Sequence, residues 1–281
     1  MKIAVSSYSY SQCLGQGKDL FWVVEQAARM GFAGIEFTNL PGDKPRDLAR
    51  ALHAAAAKAR LPIVSYTIGA DLLGDPPAAV QAVKAQLDIA AALGAPVLRH
   101  DAAWAPPETC RDESAFDAAL PTLADACRRI TEYAASLGIR TCVENHGYFV
   151  QHSLRCLKLV QAVAHKNFGW LIDLGNFLCA DDDPLAATRR LAPYAVHVHA
   201  KDFKVTPASA AGEAPGLRSL GGALLAGTAV GEGDVNTRAC LGALRASGYE
   251  GFLSIEYEGA SDCIEGLATG LRNLNAWLAG A

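Results

Sequence analysis

Three acidic residues and one histidine each close a short apolar run in the second half of the chain. These four residues are Glu144, Asp173, His199 and Glu256. If the apolar runs are strands of one parallel barrel, then the four side chains meet at its C-terminal mouth, where such barrels carry their active sites. Carboxylates held this close repel one another unless a cation neutralises them. The pattern therefore predicts a divalent metal site.

The ligand types restrict the metal. Three oxygen ligands with one imidazole favour Mn²⁺, Mg²⁺ or Co²⁺ over a structural Zn²⁺, which prefers sulfur and histidine. His197 and His199 share one face of their strand, because side chains alternate along a strand. His199 lies nearer the C-terminal rim, so we expect it to be the ligand and His197 to be an inner, hydrogen-bonded histidine.

Three more polar residues lie near the same predicted mouth. Lys201 shares a strand face with His199 and either steadies a developing oxyanion, binds a substrate carboxylate or pairs with a neighbouring acid. His146 is expected to contact substrate or a nearby carboxylate, with a surface-loop position as the alternative. Glu36 ends the second apolar run and either binds a substrate hydroxyl or supports the metal ligands.

The elements that position these residues alternate regularly between strands and helices. Asp75-Pro76 and Asp183-Pro184 are typical helix starts, and Gly31 and Gly94 are typical helix ends. Eight strand–helix units without a linker predict an α/β fold, a single (β/α)₈ TIM barrel over residues 1–281. A doubly wound open sheet is the alternative, but it usually has a glycine-rich phosphate turn after its first strand. The predicted strands are 2–9, 34–38, 62–68, 96–100, 140–144, 168–173, 195–199 and 252–256.

Residues 204–233 interrupt this alternation after the seventh predicted strand. The segment is rich in Gly, Ala and Ser and is longer than an ordinary connection, so we expect an extended loop that is either functional or mobile. Lys204 and Arg218 are candidate ligands for a phosphate or carboxylate there, because many barrels bind phosphate after this strand. The sequence leaves open whether the substrate is phosphorylated.

Composition excludes several classes of protein. Apolar residues make up 51% of the 281 residues, which is enough for a large core. No run approaches the roughly 20 apolar residues of a membrane span, and the N-terminus lacks a signal-peptide pattern. The net charge of −4 makes nucleic acid and membrane surfaces poor partners. Eight cysteines without a CxxC motif indicate reduced thiols and a cytoplasmic protein, while a homo-oligomer stays an open option.

Five short motifs in chain order resemble those of the xylose-isomerase-like TIM-barrel superfamily, in its sugar phosphate isomerase/epimerase branch. The resemblance spans nearly the whole chain. It implies one divalent ion, commonly Mn²⁺ with Mg²⁺, Co²⁺ or Zn²⁺ as alternatives, bound by the four residues named first. The motifs are Val143-Glu144-Asn145-His146-Gly147, Asp173-Leu174-Gly175-Asn176, residues 196–202, Gly231-Glu232-Gly233-Asp234-Val235-Asn236 and residues 251–256.

The resemblance also implies a reaction. In ketose 3-epimerases of this superfamily, the two metal-binding glutamates exchange protons with opposite faces of the substrate, which assigns Glu144 and Glu256 as catalytic. We therefore predict a metal-dependent sugar isomerase or epimerase that transfers a proton next to a carbonyl through an enediolate. Asn176 stands where related epimerases often have a histidine. It is expected to bind substrate, but an amide cannot protonate an oxygen.

Three alternatives remain beside this prediction. A dehydratase or lyase acting on a keto-sugar, keto-inositol or dehydroshikimate-like substrate would share the first proton abstraction and then expel a β-hydroxyl. A DNA-repair nuclease of the endonuclease IV type is disfavoured by the acidic balance and by the small number of histidines. A non-catalytic sugar-binding subunit is the third. Apart from the nuclease, each of these predictions implies a small carbohydrate or keto-acid as the partner.

Overall fold

Eight parallel strands close into a barrel in the computed structural model, which describes residues 1–105, 110 and 112–280. The described part of the chain has the strands β1 (Lys2–Ser6), β2 (Ile35–Thr38), β3 (Ile63–Ile68), β4 (Val97–His100), β5 (Arg140–Glu144), β6 (Phe168–Asp173), β7 (Ala195–Ala200), β8 (Asp202–Thr206), β9 (Leu217–Arg218), β10 (Leu224–Thr228) and β11 (Phe252–Ile255). The barrel order is β1-β11-β7-β6-β5-β4-β3-β2, with β2 pairing back to β1. The predicted (β/α)₈ TIM barrel is confirmed.

Helices between the barrel strands cover its outside. Asp75 and Asp183 accept hydrogen bonds from backbone N–H groups in the first turns of their helices, as their Asp-Pro pairs predicted. Gly31 and Gly94 end their helices in the left-handed conformation. The helices are α1 (Ser11–Gly15), α2 (Leu20–Met30), α3 (Pro45–Lys58), α4 (Pro76–Leu93), α5 (Glu113–Ser136), α6 (Ser153–Val163), α7 (Pro184–Leu191), α8 (Ala208–Ala211), α9 (Thr237–Ala246) and α10 (Cys263–Ala279).

The first strand is shorter than predicted. It ends at Ser6, and Ser7–Tyr10 form a 3₁₀ turn instead of continuing the strand to residue 9. The Ser9 hydroxyl donates to the carbonyl of Ile255 at 3.0 Å and accepts the N–H of Tyr257 at 2.9 Å. These two hydrogen bonds tie the turn to the end of β11, so the chain bends across the rim of the barrel.

The prediction of an extended loop at residues 204–233 was wrong in its secondary structure. β8, β9 and β10 form a second, antiparallel sheet in the order β8-β10-β9. Phe203 and Leu225 from this sheet are buried against Cys179 in a small apolar cluster of their own. The alternation of Phe203, Lys204, Val205 and Thr206 is a strand pattern, and burial of its apolar face against the barrel stabilises the sheet.

Apolar side chains fill the layer between the barrel and its helices, with Val5, Phe37 and Trp170 among the fully buried ones. Seven of the eight cysteines are buried, and no disulfide joins the cysteines, all of which lie in the described part of the chain. Among the described residues, no helix combines the length and the apolar character needed to cross a membrane.

Candidate active site

The four predicted metal ligands converge at the C-terminal mouth of the barrel. Glu144 and Asp173 are the last residues of β5 and β6, His199 is in β7, and Glu256 directly follows β11. One ligand atom from each lies within 4.8 Å of the others, and all four residues are buried. His199 Nδ1 is the common neighbour, at 3.5 Å from Glu144 Oε1, 3.6 Å from Glu256 Oε2 and 3.7 Å from Asp173 Oδ2.

Two atoms of this group point at its centre without a hydrogen bond. His199 Nδ1 and Asp173 Oδ2 are both buried and form none with the described residues, and the one cation near Asp173 Oδ2 among them is the Lys201 ammonium at 3.4 Å. Asp173 Oδ1, in contrast, accepts the N–H groups of Gly175 and Asn176, each at 2.8 Å. A buried polar atom without a partner is costly, and a cation at the centre would satisfy both. The three carboxylates and the imidazole therefore fit one divalent ion.

The buried carboxylates of the site also favour a bound positive charge. Burial by itself lowers the pKa of His199, but the carboxylates around it, Glu36 before the others, raise that pKa well above its ordinary value. A metal ion bound at Nδ1 would replace this proton, because histidine ligates metals in its neutral form. Burial raises the pKa of Glu144, but the opposing charges of Arg99 and His199 outweigh it, so the carboxyl is held ionised.

Two buried cations flank the ligands. Arg99, at the end of β4, contacts Glu144 Oε2 through Nε at 2.6 Å. Lys201, directly after β7, lies 2.6 Å from Glu256 Oε2 and 3.3 Å from the side-chain oxygen of Asn176. Burial lowers the pKa of Lys201, but Asp173 and the nearby glutamates raise it well above the ordinary value. Both side chains are therefore charged and bound to the acids of the site.

The two predicted catalytic glutamates differ in their contacts. Both oxygens of Glu144 are engaged, Oε2 by Arg99 at 2.6 Å and Oε1 by the side-chain amide of Asn176 at 2.9 Å. Glu256 is bound through Oε2 to Lys201, and no hydrogen bond from the described residues engages Oε1. Its side chain is 11% exposed, against 3% for Glu144. Glu256 thus has an oxygen available to a substrate, whereas the carboxylate of Glu144 is fixed at both ends.

The predicted substrate-contacting residues occupy different positions around the centre. Asn176 bridges Glu144 and Lys201 next to the ligands. His146 lies at the mouth, 48% exposed, with Nδ1 at 2.9 Å from Asp101 Oδ1. Glu36 is completely buried behind His199 and bonds its Nε2 at 2.9 Å, a position that fits the supporting role among its two predicted roles. Whether Asn176, Lys201 and His146 contact substrate stays a prediction.

The inner histidine also has its partners. His197 Nε2 lies 3.0 Å from Glu36 Oε2 and 2.8 Å from the hydroxyl of Ser254. Glu36 therefore joins His197 and His199 beneath the metal ligands. The facing ring nitrogens of both histidines contact Glu36, so the three side chains form a hydrogen-bonded group beneath the predicted ligands.

Sequence reasoning missed three charged residues at this mouth. Arg99 and Asp101 bracket the end of β4, and Glu258 lies two residues beyond Glu256. Arg99 Nη2 contacts Asp101 Oδ1 at 2.7 Å, and Lys201 contacts Glu258 Oε1 at 3.2 Å. The sequence could have indicated them, because a charged residue at the C-terminal end of any barrel strand is a candidate site residue. The prediction applied this criterion mainly to the last four barrel strands.

A cavity of about 310 Å³ opens above the ligands. Its size suits a small molecule of the sugar class. It is lined by charged and polar side chains together with the aromatic ring of Tyr8; the charged residues are Arg99, Asp101, Glu144, Lys201, Glu256 and Glu258.

Comparisons with known proteins agree with this architecture. A model of the xylose isomerase-like TIM barrel matches residues 24–279. An inosose dehydratase from Geobacillus thermodenitrificans (strain NG80-2) is 26% identical over 246 residues, which are 84% of this chain and 80% of that protein. The structure of a probable 3-DHS dehydratase from Bacillus anthracis gives a TM-score of 0.76 at 20% identity, covering 98% of this chain and 99% of that one. A D-psicose 3-epimerase from Clostridium cellulolyticum H10 gives 0.76 at 16% identity and covers 99% of each chain.

The two structural likenesses show a common fold, and the family match extends over most of the chain and over all four predicted ligands. The resemblance inferred from the sequence motifs is thereby confirmed. The chain belongs to the xylose isomerase-like TIM barrel family.

Proposed function

We propose that this protein is a divalent-metal-dependent enzyme that removes a proton next to the carbonyl of a sugar-like ketone and then expels the neighbouring hydroxyl as water. One observation carries the choice of reaction. Glu256 has a carboxylate oxygen with neither a hydrogen bond nor an ion pair among the described residues, whereas Glu144 has an ion pair on one oxygen and a hydrogen bond on the other. A site with one available base suits elimination better than epimerisation, which needs a base on each face of the substrate.

The ion would be held by Glu144, Asp173, His199 and Glu256, with Mn²⁺ as the expected metal. When bound, a divalent ion supplies Lewis-acid polarisation of the substrate carbonyl, which makes the adjacent C–H more acidic. Asn176 and Arg99 hold Glu144 in place, so that its carboxylate stays ionised. Lys201 places a positive charge beside Glu256, near the oxygen on which negative charge develops.

Glu256 Oε1 acts as the base. The electron pair of the broken C–H bond forms a carbon–carbon double bond, and the C–O bond at the next carbon breaks. His146 donates the proton that lets this hydroxyl leave as water. Burial lowers the pKa of His146, but its hydrogen bond to Asp101 outweighs this and raises the pKa above the ordinary value, which favours the protonated acid.

The relative with the named dehydratase activity supports this proposal. The inosose dehydratase aligns along 84% of this chain, and its name describes loss of water from a cyclic keto-polyol. Such a substrate carries a carbonyl and adjacent hydroxyls, which the proposed chemistry requires.

Sugar isomerisation or epimerisation, the reaction predicted from the sequence, is the second candidate. The observation in its favour is that Glu144 and Glu256 both approach the same centre, since each carboxylate has an oxygen within 4.8 Å of the other ligand atoms. Proton transfer between two faces or two adjacent carbons would then replace the elimination. The proton abstraction is common to both reactions.

The test combines metal analysis with product analysis. Purified protein is freed of metal, reloaded with Mn²⁺, Mg²⁺, Co²⁺ or Zn²⁺, and incubated in D₂O with a panel of ketoses and inososes. Elimination yields a conjugated product that absorbs in the ultraviolet and has lost the mass of water. Epimerisation or isomerisation yields deuterium at the α-carbon with the skeleton intact. Absence of both in every metal form would contradict the proposal.

Variants separate the roles of the two glutamates. Glu256→Gln is expected to lower kcat by about 10³-fold or more, because it removes the base. Glu144→Gln is expected mainly to weaken metal binding, so excess metal should restore part of the activity of this variant. Glu265→Gln, at an exposed position in the first turn of α10, is the matched control and should keep wild-type rates. Equal and unrecoverable losses in both site variants would favour the two-base reaction.

A further inference from the structure

The cavity above the metal ligands holds two permanent cations among the described residues that line it, and both are already neutralised. Each guanidinium nitrogen of Arg99 has a close neighbour: Nε forms an ion pair with Glu144 without a hydrogen bond, Nη1 donates to the carbonyl of Ile68, and Nη2 forms an ion pair with Asp101. Its residue is only 5% exposed. An incoming anion would find no guanidinium nitrogen without a partner.

Lys201 is occupied in the same way. Its ammonium lies 2.6 Å from Glu256, 3.2 Å from Glu258 and 3.4 Å from Asp173. It also donates to Asn176 Oδ1 at 3.3 Å. The contacts with Asn176 and Glu258 are hydrogen bonds, and those with Glu256 and Asp173 are ion pairs, so neighbouring acids already neutralise this ammonium.

Asp101 and Glu258 stand outside the ligand group and closer to the solvent. Their side chains are 14% and 27% exposed, respectively. Each pairs with one of the two cations through a single oxygen, Oδ1 in Asp101 and Oε1 in Glu258. The remaining oxygen of each carboxylate is an acceptor on the wall of the cavity, suited to the hydroxyl of a polyol.

The balance of charges around the cavity also disfavours an anionic substrate. Among the described residues, six carboxylates lie in or directly beneath the cavity, namely Glu36, Asp101, Glu144, Asp173, Glu256 and Glu258. Against them stand Arg99, Lys201 and, when protonated, His146. A bound divalent ion would leave the site with net negative charge, which repels phosphate and carboxylate groups in a poorly solvated cavity.

The second sheet offers no free cation in compensation. Arg218 donates to the carbonyls of Gly212, Ala214 and Gly222, and Lys204 pairs with Asp234 at 3.0 Å. Both residues were candidate phosphate ligands in the sequence. The structure uses them to hold the segment together.

We infer that the substrate is an uncharged polyhydroxylated ketone, and that Asp101 and Glu258 determine this specificity by neutralising the cations and accepting hydrogen bonds from substrate hydroxyls. The inference rests on the proposed function for the identity of the reacting carbonyl. It also narrows that function, because it excludes sugar phosphates and keto-acids as substrates.

The first experiment measures binding without turnover. Isothermal titration of the Mn²⁺-loaded protein compares D-sorbitol with D-sorbitol 6-phosphate, which lack a carbonyl and cannot react, and the Glu256→Gln variant, which lacks the proposed base, compares neutral inosose with 3-dehydroshikimate. We expect the neutral member of each pair to bind at least tenfold more tightly. Tighter binding of the anionic members, or no binding of any neutral probe, would overturn the inference.

Deuterium exchange separates this inference from the proposed function. D-Fructose is compared with D-fructose 1-phosphate and D-fructose 6-phosphate, and the cyclic ketones of the binding experiment are included. Exchange confined to neutral ketones supports both proposals. Exchange confined to anionic ketones retains the reaction and overturns the substrate class. Binding of neutral polyols with no exchange of any ketone supports the class and contradicts the reaction.

Two isosteric variants test the residues assigned to specificity. Glu258→Gln and Asp101→Asn each keep the side-chain volume and remove one negative charge. The preference for neutral over anionic probes should fall at least tenfold in each variant, because a cation loses its neutralising partner. A variant that weakens neutral and anionic probes equally would assign a merely structural role to that residue. Circular dichroism spectra identify any variant that fails to fold.

Discussion

At the scale of single residues, Glu36 is expected to support the predicted metal ligands. This carboxylate is completely buried and contacts Nε2 of both His197 and His199. Burial raises the pKa of Glu36, but the two histidines outweigh it and hold the pKa well below the ordinary value. A carboxylate behind a histidine ligand fixes the ring and leaves the other nitrogen free for metal. Nδ1 of His199 is then the nitrogen that faces the centre.

Glu36→Gln should therefore weaken metal binding without unfolding the barrel. We expect a 10–100-fold loss of affinity for Mn²⁺, the usual effect of removing such a partner. Competition with a chelating dye measures it. Glu25→Gln, at an exposed position in α2, is the control. Unchanged affinity in Glu36→Gln would show that packing alone orients His199.

At the scale of elements, one aspartate joins the second sheet to the barrel mouth. Asp202 is the first residue of β8, and its carboxylate accepts the backbone N–H groups of Gly231, Gly233 and Val235 at 2.9–3.0 Å. Gly233 is pressed against it, since a Cβ there would lie 2.0 Å from Asp202 Oδ1. The segment after β10 is thus pinned next to Lys201.

Removal of this carboxylate should loosen the segment locally. Asp202→Ala leaves the three N–H groups without their acceptor, so we expect their local opening to become easier by about 2–4 kcal/mol. Hydrogen exchange of the amides of Gly231, Gly233 and Val235 measures the change. Exchange elsewhere in the barrel should stay slow. Glu213→Ala, at an exposed position within residues 204–233, is the control. Equal exchange in the two variants would contradict the role of Asp202 in holding this segment.

At the scale of the whole molecule, metal binding and folding are linked. The ligands come from four different strand ends, so they meet only when the barrel has closed. A cation that binds only the native state stabilises it by about 2.7 kcal/mol at a concentration 100 times its Kd. The same ion relieves the repulsion among buried carboxylates.

Chelation should accordingly lower Tm. For a domain of this size, the loss corresponds to roughly 5–10 °C, which differential scanning calorimetry detects. Adding Mn²⁺ back should restore it. The double variant Glu144→Gln/Glu256→Gln should melt at the same temperature with and without metal. A metal-dependent Tm in that variant would place the stabilising ion elsewhere.

The sequence by itself determined the barrel and most of its strand ends. The spacing of apolar residues and the residue types at helix ends are local features of the sequence. Asp75-Pro76 and Gly94 therefore marked the ends of their helix without any tertiary information. The same local signal failed at Ser7–Tyr10, because a hydrogen bond from Ser9 to the distant β11 decides that turn. It failed again at the second sheet, whose pairing of β8 with β10 is not encoded nearby.

Tertiary structure alone decided how the charges at the mouth are paired. From the sequence, Glu144 and Glu256 were equivalent candidates. Only the folded chain shows that Arg99 and Asn176 contact Glu144, whereas Glu256 has an oxygen without such a contact among the described residues. It likewise decided that Glu36 lies behind the ligands. Strand spacing fixes which end of the barrel a side chain occupies, whereas its partners come from other strands. Their distances depend on barrel closure, which no local pattern contains.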